Sequence, residues 1–212
     1  MKTIKTVILL ILLSTSIMMA GDLSIGADLV NRYVWRGCDF GNAAAVQPGI
    51  AYAVGNFEVG AWGSWSINGA PGGNENDLYL SYSLKGISIT ITDYFFPEYT
   101  GDDDIDQFDE DGGHVFEAMV GTELGKFSVM GAMNFMGVDA DNSMYFELGY
   151  GIYSSDEIES SIFLGAGNYA YVVEEDFNIV NVGISVSKGN LSAAYIINPD
   201  QKTSFLTFGL SI

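Results

Sequence analysis

The sequence is short of basic side chains. Its 212 residues include eight lysines and arginines against 27 acidic residues, a formal net charge of −19. Only Arg32 and Arg36 are arginines. This charge argues against nucleic acid as a partner, because a strongly acidic chain repels phosphates. It is compatible with cation binding or with an acidic outer surface.

Cysteine and histidine each occur once, as Cys38 and His114. A single cysteine cannot form an internal disulfide, and the sequence holds no cluster of His and Cys at metal-ligand spacing. A hydrolase would need a nucleophile oriented by a histidine. Ser64 and Ser143 lie near predicted strand ends, but neither has elbow or triad spacing. We therefore expect no enzymatic activity, and a packing or hydrogen-bonding role for His114.

Long apolar runs are missing after residue 20, so no membrane helix is predicted. The first twenty residues have a basic start with Lys2 and Lys5, an apolar run over 7–13, and small residues up to Ala20. This pattern is typical of a secretory signal peptide. Its cleavage would leave 21–212 as a single domain with six basic and 27 acidic residues, a net charge of −21.

Short segments carry the apolar residues that are present. The chain is 48% hydrophobic, with 13 Phe and 12 Tyr. Large apolar residues alternate with small or polar ones in 127–135, 143–152 and 203–212, and this period of two predicts half-buried β-strands.

The predicted connections between strands are of two kinds that alternate. Tight glycine-containing turns are predicted at 54–57, 84–87, 124–127 and 188–191, with a slightly longer one at 153–157. Longer polar loops are predicted at 37–44, 67–76, 97–113, 137–142, 166–176 and 198–202. The count gives twelve strands. With a signal peptide and long loops at one end, this predicts a closed, antiparallel, all-β transmembrane barrel of the outer membrane of a Gram-negative-type bacterium, rather than a soluble β-sandwich.

Three residues fit this pattern poorly. Pro48 lies within the second predicted strand, where a ladder donor is lost, so a bulge or a late strand start is expected there. Asn31 and Asp93 fall on the apolar side of their strands. A headgroup position would suit Asp93, and a bulge in the first strand would explain Asn31.

The first strand is expected to include residues 31–37, NRYVWRG. Arg32 would then lie near mid-depth and Arg36 near the outer rim. Both should face the lumen, because an arginine at the lipid midplane would cost about 2–4 kcal/mol. Tyr33 and Trp35 would face lipid in an aromatic belt.

The same parity places several other polar and aromatic residues in the lumen. Charges in a narrow barrel must be paired or hydrated, so we expect the arginines to pair with carboxylates, Glu117 and Glu147 first. Such a network either fixes the interior or forms a selective constriction. The other predicted lumen residues are Asp28, Glu58, Asp77, Glu123, Glu159, Gln47, Trp62, Tyr79 and Tyr145.

The acidic run 101–113 lies in the longest predicted loop. Asp102, Asp104 and Asp106 have the alternate spacing of a calcium loop, but Gln107 and Gly113 replace the glycine and the closing glutamate of that motif. The run is either a solvated loop or a loose site for divalent cations next to lipopolysaccharide. No other cofactor is expected.

The opening of the chain resembles the TorF-type porin family. Tyr33, Arg36 and Gly37 match a Ser/Asp-x-Tyr-x-x-Arg-Gly pattern, with Asn31 at its first position. Pro48-Gly49-Ile50, then 60–64 and 75–79, resemble further family segments in the same order. The resemblance covers the first third well and implies a porin-like outer-membrane protein of unassigned substrate.

The expected function is a passive outer-membrane channel for small polar or cationic solutes. Its expected partners are membrane lipid, lipopolysaccharide and the barrel-assembly machinery. The alternative is a closed barrel that binds or adheres at the cell surface through its acidic loops.

Overall fold

The computed structural model describes residues 21–69, 73–97, 105–139 and 141–212. The predicted signal peptide, Asp102 and Asp104 lie outside the described residues. Within these four ranges, no helix is both long and apolar enough to cross a membrane.

Twelve antiparallel strands close into a barrel, as predicted. Two further short strands, β2 and β3, form a separate two-stranded sheet, and one 3₁₀ turn covers Tyr169–Tyr171. The strands are β1 (Asp22–Val30), β2 (Tyr33–Trp35), β3 (Cys38–Phe40), β4 (Ala45–Val54), β5 (Phe57–Ser66), β6 (Glu75–Leu84), β7 (Ile87–Phe95), β8 (His114–Leu124), β9 (Phe127–Gly137), β10 (Met144–Ser154), β11 (Ile158–Gly167), β12 (Asn178–Lys188), β13 (Leu191–Asn198) and β14 (Thr203–Ser211).

Tight turns close one end of the barrel, here called the turn end, and the longer connections lie at the opposite loop end. The predicted glycines take the positive φ that two-residue turns need. Their φ angles are 60° at Gly55, 83° at Gly86, 66° at Gly125 and 55° at Gly189.

Apolar side chains cover the outer face of the barrel. Leu78 and Leu80 on β6, and Ile89 and Ile91 on β7, are exposed. Their neighbours of opposite parity face inward and are polar, as with Tyr79 and the carboxylate of Glu58 to which it donates. In the described ranges the buried apolar cluster is small, with Tyr145, Tyr171 and Val180 at its centre, and it does not fill the interior as the core of a sandwich would.

The barrel closes through a short pairing between β1 and β14. Only Asp28, Leu29 and Val30 of β1 are in register with β14. Asn31 extends this contact with its side chain: its amide donates to the Leu206 carbonyl at 3.1 Å, and its Oδ1 accepts the Phe208 N–H at 2.6 Å. Asn31 therefore follows the strand end, and the bulge expected in the first strand is absent from the described residues.

Replacing Asn31 with Ala should weaken barrel closure. Both hydrogen bonds to β14 would be lost, and we expect the free energy of unfolding to fall by about 1–2 kcal/mol. Urea unfolding of the refolded barrel, followed by tryptophan fluorescence, measures this change. An unchanged midpoint would show that the side chain does not contribute to closure.

Pro48 is accommodated without a bulge. The pairing of β4 with β5 keeps one register from Val46–Trp65 to Gly49–Trp62, but Gln47 and Pro48 have no registered partners on β5. The ladder is interrupted only where the proline lacks its N–H.

Asp93 lies on the outer face at the loop end, where it pairs with His114. The distance from Asp93 Oδ1 to His114 Nδ1 is 2.8 Å. The imidazole packs between Phe95 and Phe108, and its other nitrogen lies 3.2 Å from the Ile105 carbonyl oxygen. His114 thus joins the loop to the barrel wall.

Candidate functional site: a hairpin inside the barrel

The NRYVWRG segment does not continue the first barrel strand. β1 ends at Val30, and the connection to β4 contains a small hairpin of β2 and β3, here called the inner hairpin (33–40). Arg36 and Gly37 form its turn with φ of 49° and 81°. The predicted positions of Arg32 and Arg36 along a barrel strand are therefore wrong. β1 already has nine residues, in line with the other barrel strands, so it cannot also hold residues 31–37.

Arg36 lies inside the barrel in a two-point ion pair with Glu117 on β8. Its Nη2 donates to Oε1 at 2.9 Å, and its Nη1 donates to Oε2. The two residues are only 6% and 1% exposed. The guanidinium carbon lies 4.5 Å from the Trp35 ring centre and 4.6 Å from that of Tyr145. Ring faces and carboxylate together replace the water that the charge has lost.

Tyr171 completes this ion pair from the connection between β11 and β12. Arg36 Nη1 donates to the Tyr171 hydroxyl at 2.5 Å. That hydroxyl in turn donates to Glu117 Oε2 at 3.4 Å. Burial raises the pKa of Tyr171 to about 12, and the nearby Arg36 charge opposes part of that rise. The phenol therefore stays protonated and can donate to the carboxylate.

The pairing fixes position more than it adds stability. Arg36 Nε is buried without a hydrogen-bond partner in the described part of the chain. A buried ion pair roughly offsets its own desolvation, whereas removing one partner typically costs about 3–5 kcal/mol. Any arrangement that moves the hairpin turn away from Glu117 would leave a buried charge unpaired and would therefore be higher in free energy.

Two irregularities of the barrel wall lie beside this pair. The β8–β9 register shifts between Phe116 and Glu117, and the β11–β12 register shifts so that Val180 has no opposite residue. Bulges re-aim side chains and backbone locally. Here they place Glu117 within hydrogen-bond distance of Arg36, and the Val180 carbonyl against Gly37 of the hairpin turn.

Further contacts hold the inner hairpin to the wall. The Tyr33 hydroxyl donates to Glu75 at 2.8 Å, and its ring packs 5.6 Å from Trp62. Buried Asn198 donates to the Gly37 carbonyl at 3.1 Å. Tyr33 and Trp35 therefore line the interior, and the prediction that they face lipid is wrong.

Gly37 lies directly against the barrel wall at Val180. A Cβ at this position would lie 2.0 Å from the Val180 carbonyl oxygen, and its φ is already left-handed. Glycine is needed here for both reasons.

Gly37→Ala should displace the inner hairpin. The matched control is Gly189→Ala, where φ is also positive but no atom lies within 4 Å of the added methyl. In both variants an alanine takes a left-handed backbone conformation, which costs about 1 kcal/mol. Only Gly37→Ala also places a methyl group against the wall, so only this variant should increase amide hydrogen exchange in 33–40. Equal exchange in the two variants would contradict the close contact.

Arg32 does not reach the predicted carboxylates. It lies near the base of the hairpin, where Nη1 donates to Asp39 at 2.7 Å and Nη2 donates to Asn42. Glu147 instead accepts from the Tyr145 hydroxyl and from Asn181 at 2.9 Å. Of the two predicted arginine partners, only Glu117 is paired with an arginine.

The other predicted lumen residues lie on the inner wall. Glu58 accepts from Tyr79 at 2.9 Å. Asp77 is buried, in register with Trp62, and its Oδ1 has no partner among the described residues. Asp28 is in register with Gln47.

Basic side chains are missing from the inner faces of the described barrel strands. Lys188 is the one lysine or arginine in these strands, and it lies at the turn end opposite Ile158, at the end of β12. Arg36, which enters on the inner hairpin, is therefore the cation that faces the lumen carboxylates.

Two cavities lie on either side of the Arg36–Glu117 layer. The loop-end cavity, about 770 Å³, is lined by Trp35 and Phe40 of the inner hairpin and by residues of the loops. The turn-end cavity, about 400 Å³, is lined by strand residues that include Glu123 and Glu147. The two share no lining residue, and hairpin residues line only the loop-end cavity.

Several residues of this site were not among the predicted lumen residues: Tyr33, Glu75, Tyr94, Tyr171, Asn181 and Asn198. Tyr33 lies on the face opposite to the predicted one because the first strand ends at Val30. The parity break at Asn31 was the signal that the strand had ended. Tyr171 lies in a loop, where strand parity carries no information.

Comparison with known proteins adds a fold and a family. A chain solved in work on the mechanism behind the in-meso crystallization of membrane proteins has the same fold, with a TM-score of 0.51 at 7% sequence identity over 89% of this chain and 83% of that one. No curated protein matches the sequence. The model of a family described as a bacterial protein of unknown function (Gcw_chp) matches residues 19–210, and the chain belongs to that family.

Proposed function

We propose that this protein is an outer-membrane barrel that serves as a narrow passive channel for small polar or cationic solutes. The exposed apolar outer face suits contact with lipid. A closed barrel also leaves no unpaired strand edge in the membrane. The fold similarity to a chain from a membrane-protein study and the resemblance of the first third to TorF-type porins both support this location.

The observation that carries the proposal is the charge on the inner wall. Glu58, Glu123, Glu147 and Glu159 lie on inward parity, and no lysine or arginine of the described strands does so. Fixed carboxylates in a narrow aqueous path raise the local concentration of cations and repel anions.

The inner hairpin narrows this path. Its turn is anchored to β8, β12 and β13 through Arg36, Gly37 and the side chain of Asn198. Solutes would have to pass beside the hairpin rather than through an open lumen, so we expect a small conductance.

The same hairpin favours a second candidate, a closed barrel that binds partners at the cell surface through its loops. In this alternative the Arg36–Glu117 layer blocks the lumen completely. Conduction separates the two candidates.

The channel is tested by reconstituting the purified protein in planar bilayers under a salt gradient. We expect single-channel currents with a reversal potential that shows cation preference. Replacing both Glu123 and Glu147 with Gln should reduce that preference, since these carboxylates line the turn-end cavity. Glu157→Gln, in an exposed turn, is the control and should leave it unchanged.

Currents that prefer anions would overturn the proposed selectivity. No current above leak, from protein shown to be folded, would overturn the channel and favour the binding module.

A further inference from the structure

We propose that the loop-end cavity is a binding site for a small organic cation, an amine or guanidine with an apolar body. This binding site would belong to the proposed channel. It rests on the channel function only for the path by which the ligand would leave toward the turn end. Binding itself is argued from the cavity alone.

The cavity has the size and position of a ligand site. Its volume of about 770 Å³ falls within the usual range of roughly 300–1,000 Å³ for small-molecule pockets. Trp35 and Phe40 of the inner hairpin form part of its lining, and the loops around Asp139 and Tyr169 form another part. A ligand there would contact both the hairpin and the loop end.

Aromatic rings line much of the cavity. Phe40 and Phe96 are stacked with ring centres 6.2 Å apart and planes at 13°, and Tyr94 packs edge-on against Trp35 at 6.2 Å. Such rings suit an apolar ligand body, and their faces also attract a cation.

Four carboxylates lie in the cavity lining: Glu75, Asp139, Asp141 and Glu175. No lysine or arginine is among the described lining residues. An anionic ligand would therefore meet no opposite charge in this lining. A cation with several N–H groups would meet matching acceptors.

Asn134 lies in the cavity lining and orients one of its carboxylates. It lines the cavity and is 6% exposed, yet its Oδ1 has no hydrogen-bond partner in the described residues. Its Nδ2 donates to Asp139 at 2.6 Å, which fixes the orientation of the amide because the opposite flip would place oxygen against a carboxylate. Asn134 therefore holds the Asp139 carboxylate in place in the cavity lining.

A bare metal ion fits this site less well than an organic cation. Among the described residues, no group of three His, Cys, Asp or Glu side chains is arranged to hold a metal. The aromatic walls offer a metal no ligands, whereas they can cover the carbon skeleton of an amine.

The test uses the full processed chain, folded in detergent, titrated calorimetrically with benzylamine and with its neutral analogue benzyl alcohol. We expect benzylamine to bind at least about tenfold more tightly, since hydrogen bonds to a charged group are worth more than neutral ones. Asp141→Asn combined with Glu175→Gln should weaken benzylamine binding, and so should Asn134→Leu. These two loop carboxylates are exposed, so their replacement leaves folding intact if the buried Asn134 variant does not fold.

Glu157→Gln is the matched control, because Glu157 is exposed in a turn and lines neither cavity. No benzylamine binding, equal binding of benzyl alcohol, or an equal loss in Glu157→Gln would overturn the proposal. Binding without any single-channel current would leave this site standing and overturn only the channel. Single-channel current without benzylamine binding would overturn this site and leave the channel standing.

Discussion

The ion pair between Arg36 and Glu117 organises the interior of this barrel. A guanidinium that is almost fully withdrawn from water needs a carboxylate, and Glu117 meets it in a two-point contact between two aromatic rings. Because this barrel turns its apolar side chains outward, its interior is held by polar contacts rather than by an apolar core. The arginine therefore determines where the first connection of the chain lies.

Closure of the barrel and placement of the hairpin are linked through that first connection. β1 pairs with β14 over only three registered residues before Asn31 and the hairpin begin. The hairpin then contacts β13 and β12, which lie next to this closing seam, and reaches across the lumen to β8. Aromatic residues of the hairpin line the loop-end cavity, whereas Glu123 and Glu147 line the turn-end cavity.

The sequence predicted the barrel well because a period of two and glycine turns are local signals. Twelve strands, the tight turns and the inward parity of Glu58, Tyr79 and Tyr145 followed from them. The inner hairpin could not be read in the same way, since NRYVWRG alternates like a strand wherever it lies. The contacts of Arg36 with Tyr171 and of Gly37 with Asn198 join positions more than 130 residues apart, and strand parity says nothing about loops.

A double-mutant cycle on Arg36 and Glu117 tests most directly whether this pair sets the interior. Arg36→Met and Glu117→Gln, alone and together, are compared by urea unfolding of the refolded barrel. Each single change should lower the free energy of unfolding by about 3–5 kcal/mol, because it leaves the other charge buried alone. The double variant should lose less than the sum of the two, by roughly 2 kcal/mol or more. Losses that simply add, with a coupling below about 0.5 kcal/mol, would contradict the account.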